Sequence, residues 1–327
     1  MMPAMHGYDG SVVVEMPTER LCFSGPSASL VLAVARRADG AHTATQLAAD
    51  AGCSEEAVLS HLSFLKDEAV ILDLADYQSG WQIDDALDKL WGAARFYNLR
   101  VAANPALQQL FSGQANREVF LGFAIEFYFY VRSATQYMAQ GIARFDHGAA
   151  TMAPYWRHFG EEAKHHEMFR EALLAVGVAE ARLRPNCAIA TTQALTNFLF
   201  ERASRTLVEY GSLFAVMQPA ENADPVTRAE KYEGLRRSYP FAHKLLDAFE
   251  HHESIDVGAG HQSLALEYHL RQSTEVSADD MRRAYVTMRD AACYFIMFFD
   301  GIKESYQIGT LAMWKQLANV VVDAELM

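Results

Sequence analysis

The chain has 327 residues, enough for two domains and a sizeable core, with 51% hydrophobic and 21% charged residues. Its net charge of −13 argues against a nucleic acid as the main partner, because phosphate backbones are bound by basic surfaces. Cys22, Cys53, Cys187 and Cys293 are scattered and form no C-x-x-C pair, which argues against a disulfide framework or a structural zinc site and fits a reducing cytoplasm. No apolar run is long enough to span a bilayer, and Met1 to Gly10 lacks the basic-then-apolar pattern of a secretory signal.

Residues 10–85 read as a small winged-helix unit within an expected first domain, 1–85. Ser11 to Met16 predicts a strand, and Ser27 to Ala38 a helix stopped by Asp39-Gly40. Thr43 predicts the N-cap of a helix reaching Asp50, Ala51-Gly52-Cys53 a tight turn, and Ser54 the cap of a helix that buries Val58, Leu62 and Leu65. Val70-Ile71-Leu72 and Gly80 to Ile83 are expected to pair as a hairpin wing. Helix–turn–helix plus wing is a DNA-binding pattern. The would-be recognition helix, however, carries Glu55, Glu56, Asp67 and Glu68 against His61 and Lys66, a face that repels phosphate.

Residues 86–327 predict helices almost throughout: Leu87–Ala102, Arg117–Ala139, Tyr155–Val176, Ala190–Val216, Val226–Ser238, Ala242–Val257 and Ala278–Ser305. Helices of this number and length pack as a bundle with a site at its centre. The expected fold class is therefore mainly α.

Three separated stretches carry most of the candidate metal ligands: Glu161-Glu162-Ala163-Lys164-His165-His166, then Glu221, then His251-His252-Glu253-Ser254-Ile255-Asp256 with His261 beyond. Each helical residue advances about 100°, so Glu162 and His165 share a face, as do His252 and Asp256. Carboxylates mixed with imidazoles suit a pair of iron or manganese ions. Glu209 is the alternative to Glu221, and Glu126 a further carboxylate near the site. Phe123, Phe127, Tyr128 and Tyr130 are candidate pocket lining, and Arg132, Arg157 and Arg202 candidate carboxylate clamps.

Over most of residues 100–300 the sequence resembles the heme-oxygenase-like diiron oxidases, a superfamily close to the pyrroloquinoline quinone synthases. The resemblance rests on Asn104-Pro105-Ala106-Leu107 through Ser112-Gly113, on His165-His166-Glu167-Met168-Phe169 through Gly177, on Glu221 followed by Pro225, and on the H-x-x-x-D run from His252 to Asp256. It implies a metal site of Glu162, His165, Glu221, His252, Asp256 and His261 holding two ferrous ions, with manganese as the alternative. Position 259, where the resemblance calls for the last His, is Ala. His261 would reach the site only if Gly258 and Gly260 bend or break the helix. The implied activity is that of a dioxygen-dependent non-heme iron oxidoreductase acting on a small amine- or carboxylate-containing substrate, by N-oxygenation, oxidative decarboxylation or carbon–carbon cleavage. The N-terminal unit resembles the peptide-recognition winged helices of enzymes that modify ribosomally made peptides. That resemblance implies specialised-metabolite biosynthesis and a substrate carried on a peptide or carrier protein; a homodimer is compatible. The alternatives are a cofactor-free oxidase of the pyrroloquinoline quinone synthase type, a winged-helix ligand sensor, and a ferritin-like carboxylate protein. The last wants two E-x-x-H motifs where this chain has one.

Overall fold

A computed structural model describes residues 4–8, 11–15, 20–38, 42–67, 71, 80–145, 148–184, 187–217, 225–259 and 261–307. The chain divides into two compact units, residues 1–86 with 274–282, and residues 87–273 with 283–327.

The first unit opens with an antiparallel meander of β1 (Ala4–Tyr8), β2 (Ser11–Glu15) and β3 (Arg20–Ser24), in which Val13 faces His6 on one side and Cys22 on the other. Only β2 has a counterpart in the sequence reading. Helices α1 (Pro26–Arg37), α2 (Ala44–Ala51) and α3 (Glu55–Asp67) follow. Thr43 starts α2 with a reciprocal capping box to Gln46, and Gly52 ends it at φ 65°, a left-handed position that costs glycine little. Ser54 Oγ then accepts from the amide of Ala57 at 3.2 Å. Val34, Leu47, Ala48 and Val58 pack together, and Leu65 packs with Val12, Ala28, Val31 and Ala35. Of the expected hairpin wing, only the second strand can be followed. The short strand β4 (Trp81–Gln82) pairs with β5 (Glu275–Val276), a stretch almost two hundred residues away, while Ile83 already begins a helix. Val70 and Leu72 lie outside the described residues.

The second unit is helical: α4 (Ile83–Ala102, from Leu87 onward in this unit), α5 (Pro105–Phe111), α6 (Arg117–Arg144), α7 (Ala149–Glu162), α8 (His165–Ala175), α9 (Ala190–Ala203), α10 (Leu207–Met217), α11 (Pro225–Ser238), α12 (His243–Ala259), α13 (His261–Leu270) and the greater part of α14 (Ala278–Gln307). Two predicted helices are each broken in two. Tyr155–Val176 is interrupted at Ala163-Lys164. Ala190–Val216 is interrupted before Thr206, whose hydroxyl accepts from the amide of Glu209 at 3.1 Å and so caps a new helix. No described helix is long and apolar enough to cross a membrane.

Helix α6 is central, packed against α7, α8 and α9. Asn116 caps it, accepting from Val119 N at 2.8 Å, and its aromatic residues are buried on more than one face. Two interior glycines allow this close packing. A Cβ at Gly122 would lie 2.3 Å from the Tyr306 ring, and one at Gly141 would lie 2.6 Å from the Ala203 carbonyl and 2.9 Å from the Tyr210 ring. At Gly141 the obstacle is backbone, which cannot swing aside. Gly141→Ala is therefore expected to cost about 1–3 kcal/mol, more than the gain in helix propensity returns. Thermal denaturation checks this: the melting temperature should fall by several degrees, and an unchanged value would show that the helices separate freely there.

Candidate metal centre

Helix α7 ends at Glu162 and α8 begins at His165, so the interruption at Ala163-Lys164 falls between two of the predicted ligands. The two side chains still converge. Glu162 Oε2 lies 2.8 Å from His165 Nδ1. Helix α12 packs against α8 and brings His252 alongside, its ring centroid 4.9 Å from that of His165. One ligand-capable atom from each of Glu162, His165 and His252 lies within 4.8 Å of the other two. A fourth group joins them from α7: His158, one turn before Glu162, places Nε2 at 3.6 Å from Glu162 Oε1. The sequence reading did not single out His158. The H-x-x-x-E spacing that puts both side chains on one helical face was its only signal.

Aromatic packing sets the ring positions. His252 lies against Phe169 at 5.3 Å and Phe127 at 6.1 Å, and these two rings close around Phe249 at 5.0 and 5.1 Å. Phe214 holds the edge of His158 at 4.9 Å. Two phenols, Tyr137 and Tyr210, stand in the field of Glu162, wholly buried and without a hydrogen-bond partner among the described residues. Burial first, then the electron-rich neighbours including Glu162, hold both hydroxyls well above the ordinary tyrosine range, so they keep their protons.

Glu162 and His252 open onto a cavity of about 530 Å³. Its walls are largely apolar, with Phe123, Phe127, Tyr130, Val131, Tyr137 and Phe249 prominent. Lys231 and Glu253 supply a polar patch on the lining. Their side chains pair at 2.6 Å, and Tyr232 donates to the same carboxylate at 2.9 Å. Of the four predicted lining aromatics, Phe123, Phe127 and Tyr130 face this cavity, whereas Tyr128 lies in a separate polar cleft with Arg132 and His166.

The remaining predicted site residues fall out differently. Glu221 lies outside the described residues. Asp256 sits on α12 one turn after His252, and His261 opens α13 just past Gly260; neither side chain is among those described. Glu209 is committed elsewhere: only 1% exposed, it meets Arg202 at 3.1 Å, Arg283 at 3.9 Å and the Thr206 hydroxyl at 3.1 Å. That pairing also engages Arg202, which holds Asp290 at 3.1 Å as well, so Arg202 is no free clamp. Glu126 accepts from Tyr306 Oη at 2.7 Å and from Ile189 N at 3.2 Å, at the start of α9. Its carboxyl is raised above the usual range chiefly by burial, and the group serves helix packing.

A family model described as iron-containing redox enzyme matches residues 121–292, just over half of the sequence. The chain belongs to that family. The matched span contains His158, Glu162, His165 and His252, and one carboxylate with imidazoles is a donor set that fits iron. A crystal structure from Shewanella denitrificans, described as a domain of unknown function with a heme oxygenase-like fold, is similar with a TM-score of 0.54 at 14% identity, covering 73% of this chain and 95% of that one. That likeness shows a heme-oxygenase-like helical fold. A TenA family transcription regulator from a Silicibacter species has a TM-score of 0.49 at 15% identity, with 69% of this chain and 97% of that one covered. A TenA homolog from Pseudomonas syringae pv. tomato has a TM-score of 0.48 at 13% identity, with 71% and 96% covered. No curated protein matches the sequence.

For this iron-containing redox enzyme family member, removing a donor should act on metal binding before stability. Glu162→Ala and His252→Ala are expected to weaken ferrous ion binding by more than about a hundredfold, beyond the loss typical of outer partners. His251→Ala and His166→Ala should leave binding unchanged, because His251 is exposed and His166 turns toward the polar cleft. Anaerobic titration with ferrous ion, with melting curves of the metal-free variants as control, decides between this ranking and its reverse.

Proposed function

We propose that the protein is a non-heme diiron oxidase that uses dioxygen to oxidise a small substrate bearing an amine or a carboxylate. The observation that carries this reading is the Glu162, His165 and His252 cluster opening directly onto a largely apolar cavity. When bound, iron would supply the reduction of dioxygen. Glu162, His165 and His252 would hold it, with Glu221, Asp256 and His261 completing the set that the resemblance implies.

The chain's own residues supply the rest of the chemistry. The rings of Phe127, Phe169 and Phe249 exclude water beside His252, and low dielectric strengthens each polar contact made there. The cavity volume falls in the range of about 300–1,000 Å³ usual for small-molecule sites, and its walls would hold the apolar body of a substrate. Lys231 and Glu253 offer both signs of charge on the lining, so either a carboxylate or an amine can be oriented by exchanging one partner of their pair. Tyr137 keeps its phenolic proton and offers it to a polar atom bound near Glu162. The helix–turn–helix of the first unit would present the substrate's peptide or carrier, in keeping with a role in specialised metabolism.

Oxygen uptake tests the proposal. Protein loaded anaerobically with ferrous ion and mixed with oxygenated buffer is expected to consume dioxygen and to show a transient visible band. Metal-free protein should do neither. Oxidation of substrate that survives a strong chelator would overturn the proposal in favour of cofactor-free chemistry.

A further inference from the structure

We infer that His158 is a metal ligand, and that Glu162 bridges two cation positions, one beside His165 and His252 and the other beside His158. The inference rests on the diiron reading above and names a donor for the second ion.

The geometry around the Glu162 carboxylate is two-sided. Oε2 faces His165 Nδ1, and Oε1 faces His158 Nε2. One carboxylate whose two oxygens address two different imidazoles is the arrangement of a bridge between two ions rather than of a terminal ligand to one. The separation on the His158 side has a meaning of its own. At 3.6 Å it is too long for a direct hydrogen bond. Two donors each about 2.1 Å from a common ion lie about 3.0 Å apart at a right angle and about 3.6 Å apart at 120°. The distance therefore suits two ligands of one cation better than an imidazole whose task is to orient the carboxylate.

His158 is also built into place. It is 2% exposed, the helical face it shares with Glu162 points inward, and Phe214, itself buried, stands edge-on to its ring. Position 259 is Ala, so the helical spacing of the H-x-x-x-D run brings no further imidazole from that position on α12. His158 supplies a further imidazole, from α7.

Metal stoichiometry tests this. Metal-free protein titrated anaerobically with ferrous ion should bind two ions per chain, and His158→Ala should bind one, with the melting temperature of the metal-free protein nearly unchanged. His158→Gln, which keeps most of the side-chain volume, should likewise bind one and guards against a folding defect in the alanine variant. After one-electron oxidation the parent should give the electron paramagnetic resonance signal of a coupled mixed-valent iron pair, centred at higher field than the free electron, and both variants the low-field signal of a single high-spin ferric ion. Two ions bound with undiminished affinity by His158→Ala would overturn the inference. Uptake of one ion by parent and variant alike would also overturn it, while leaving the position at His165 and His252 standing. A parent that takes up none would overturn the proposed function as well.

Discussion

Glu162 carries a carboxylate into the middle of a helical bundle, where it is 7% exposed and surrounded by aromatic rings. Removing an ionised carboxylate from water costs several kcal/mol unless opposite charge or strong hydrogen bonds offset it. Imidazoles stand at both of its oxygens, and the nearby phenols of Tyr137 and Tyr210 stay neutral. A cation held by Glu162, His165 and His252, as proposed, would offset that cost. The contrast with Glu209 is instructive. That carboxylate is buried more deeply still, and the guanidinium groups of Arg202 and Arg283 meet it.

The rest of the bundle holds this centre in register. Helix α6 can run close to its neighbours because Gly122 and Gly141 leave room for the Tyr306 and Tyr210 rings. Tyr306 in turn anchors Glu126, which accepts the amide at the start of α9. These contacts lie away from the proposed ligands but fix the helix that carries Phe123, Phe127, Tyr130 and Tyr137 to the cavity. The aromatic residues thus do two jobs: they fill the core, and those facing inward leave a space where a substrate would meet the ligand cluster.

Much of this was legible in the sequence where the signal is local. Thr43, Gly52 and Ser54 mark the helix–turn–helix by capping and left-handed backbone, and the close mixing of carboxylates with imidazoles in 161–166 and 251–256 marks the stretches that bring Glu162, His165 and His252 together. The illegible parts depend on contacts distant in sequence or on breaks without a marker. Ala163-Lys164 contains neither glycine nor proline, so the interruption between Glu162 and His165 leaves no trace in composition. The break before Thr206 reads as a polar helical face until the capping contact to Glu209 is seen. The pairing of Trp81–Gln82 with Glu275–Val276 joins segments that no local pattern connects. Tyr128 and Phe127 are adjacent and face different cavities, a distinction set by where α8 packs. His158 looks like a lone histidine among aromatics until Glu162 is placed beside it.

The central claim is that a metal ion sits among Glu162, His165 and His252. Crystals grown anaerobically with ferrous ion, with diffraction recorded on either side of the iron absorption edge, test it most directly. The account predicts an anomalous peak within bonding distance of all three side chains. Iron located only elsewhere, or no ordered iron in a protein that has bound it in solution, would contradict it.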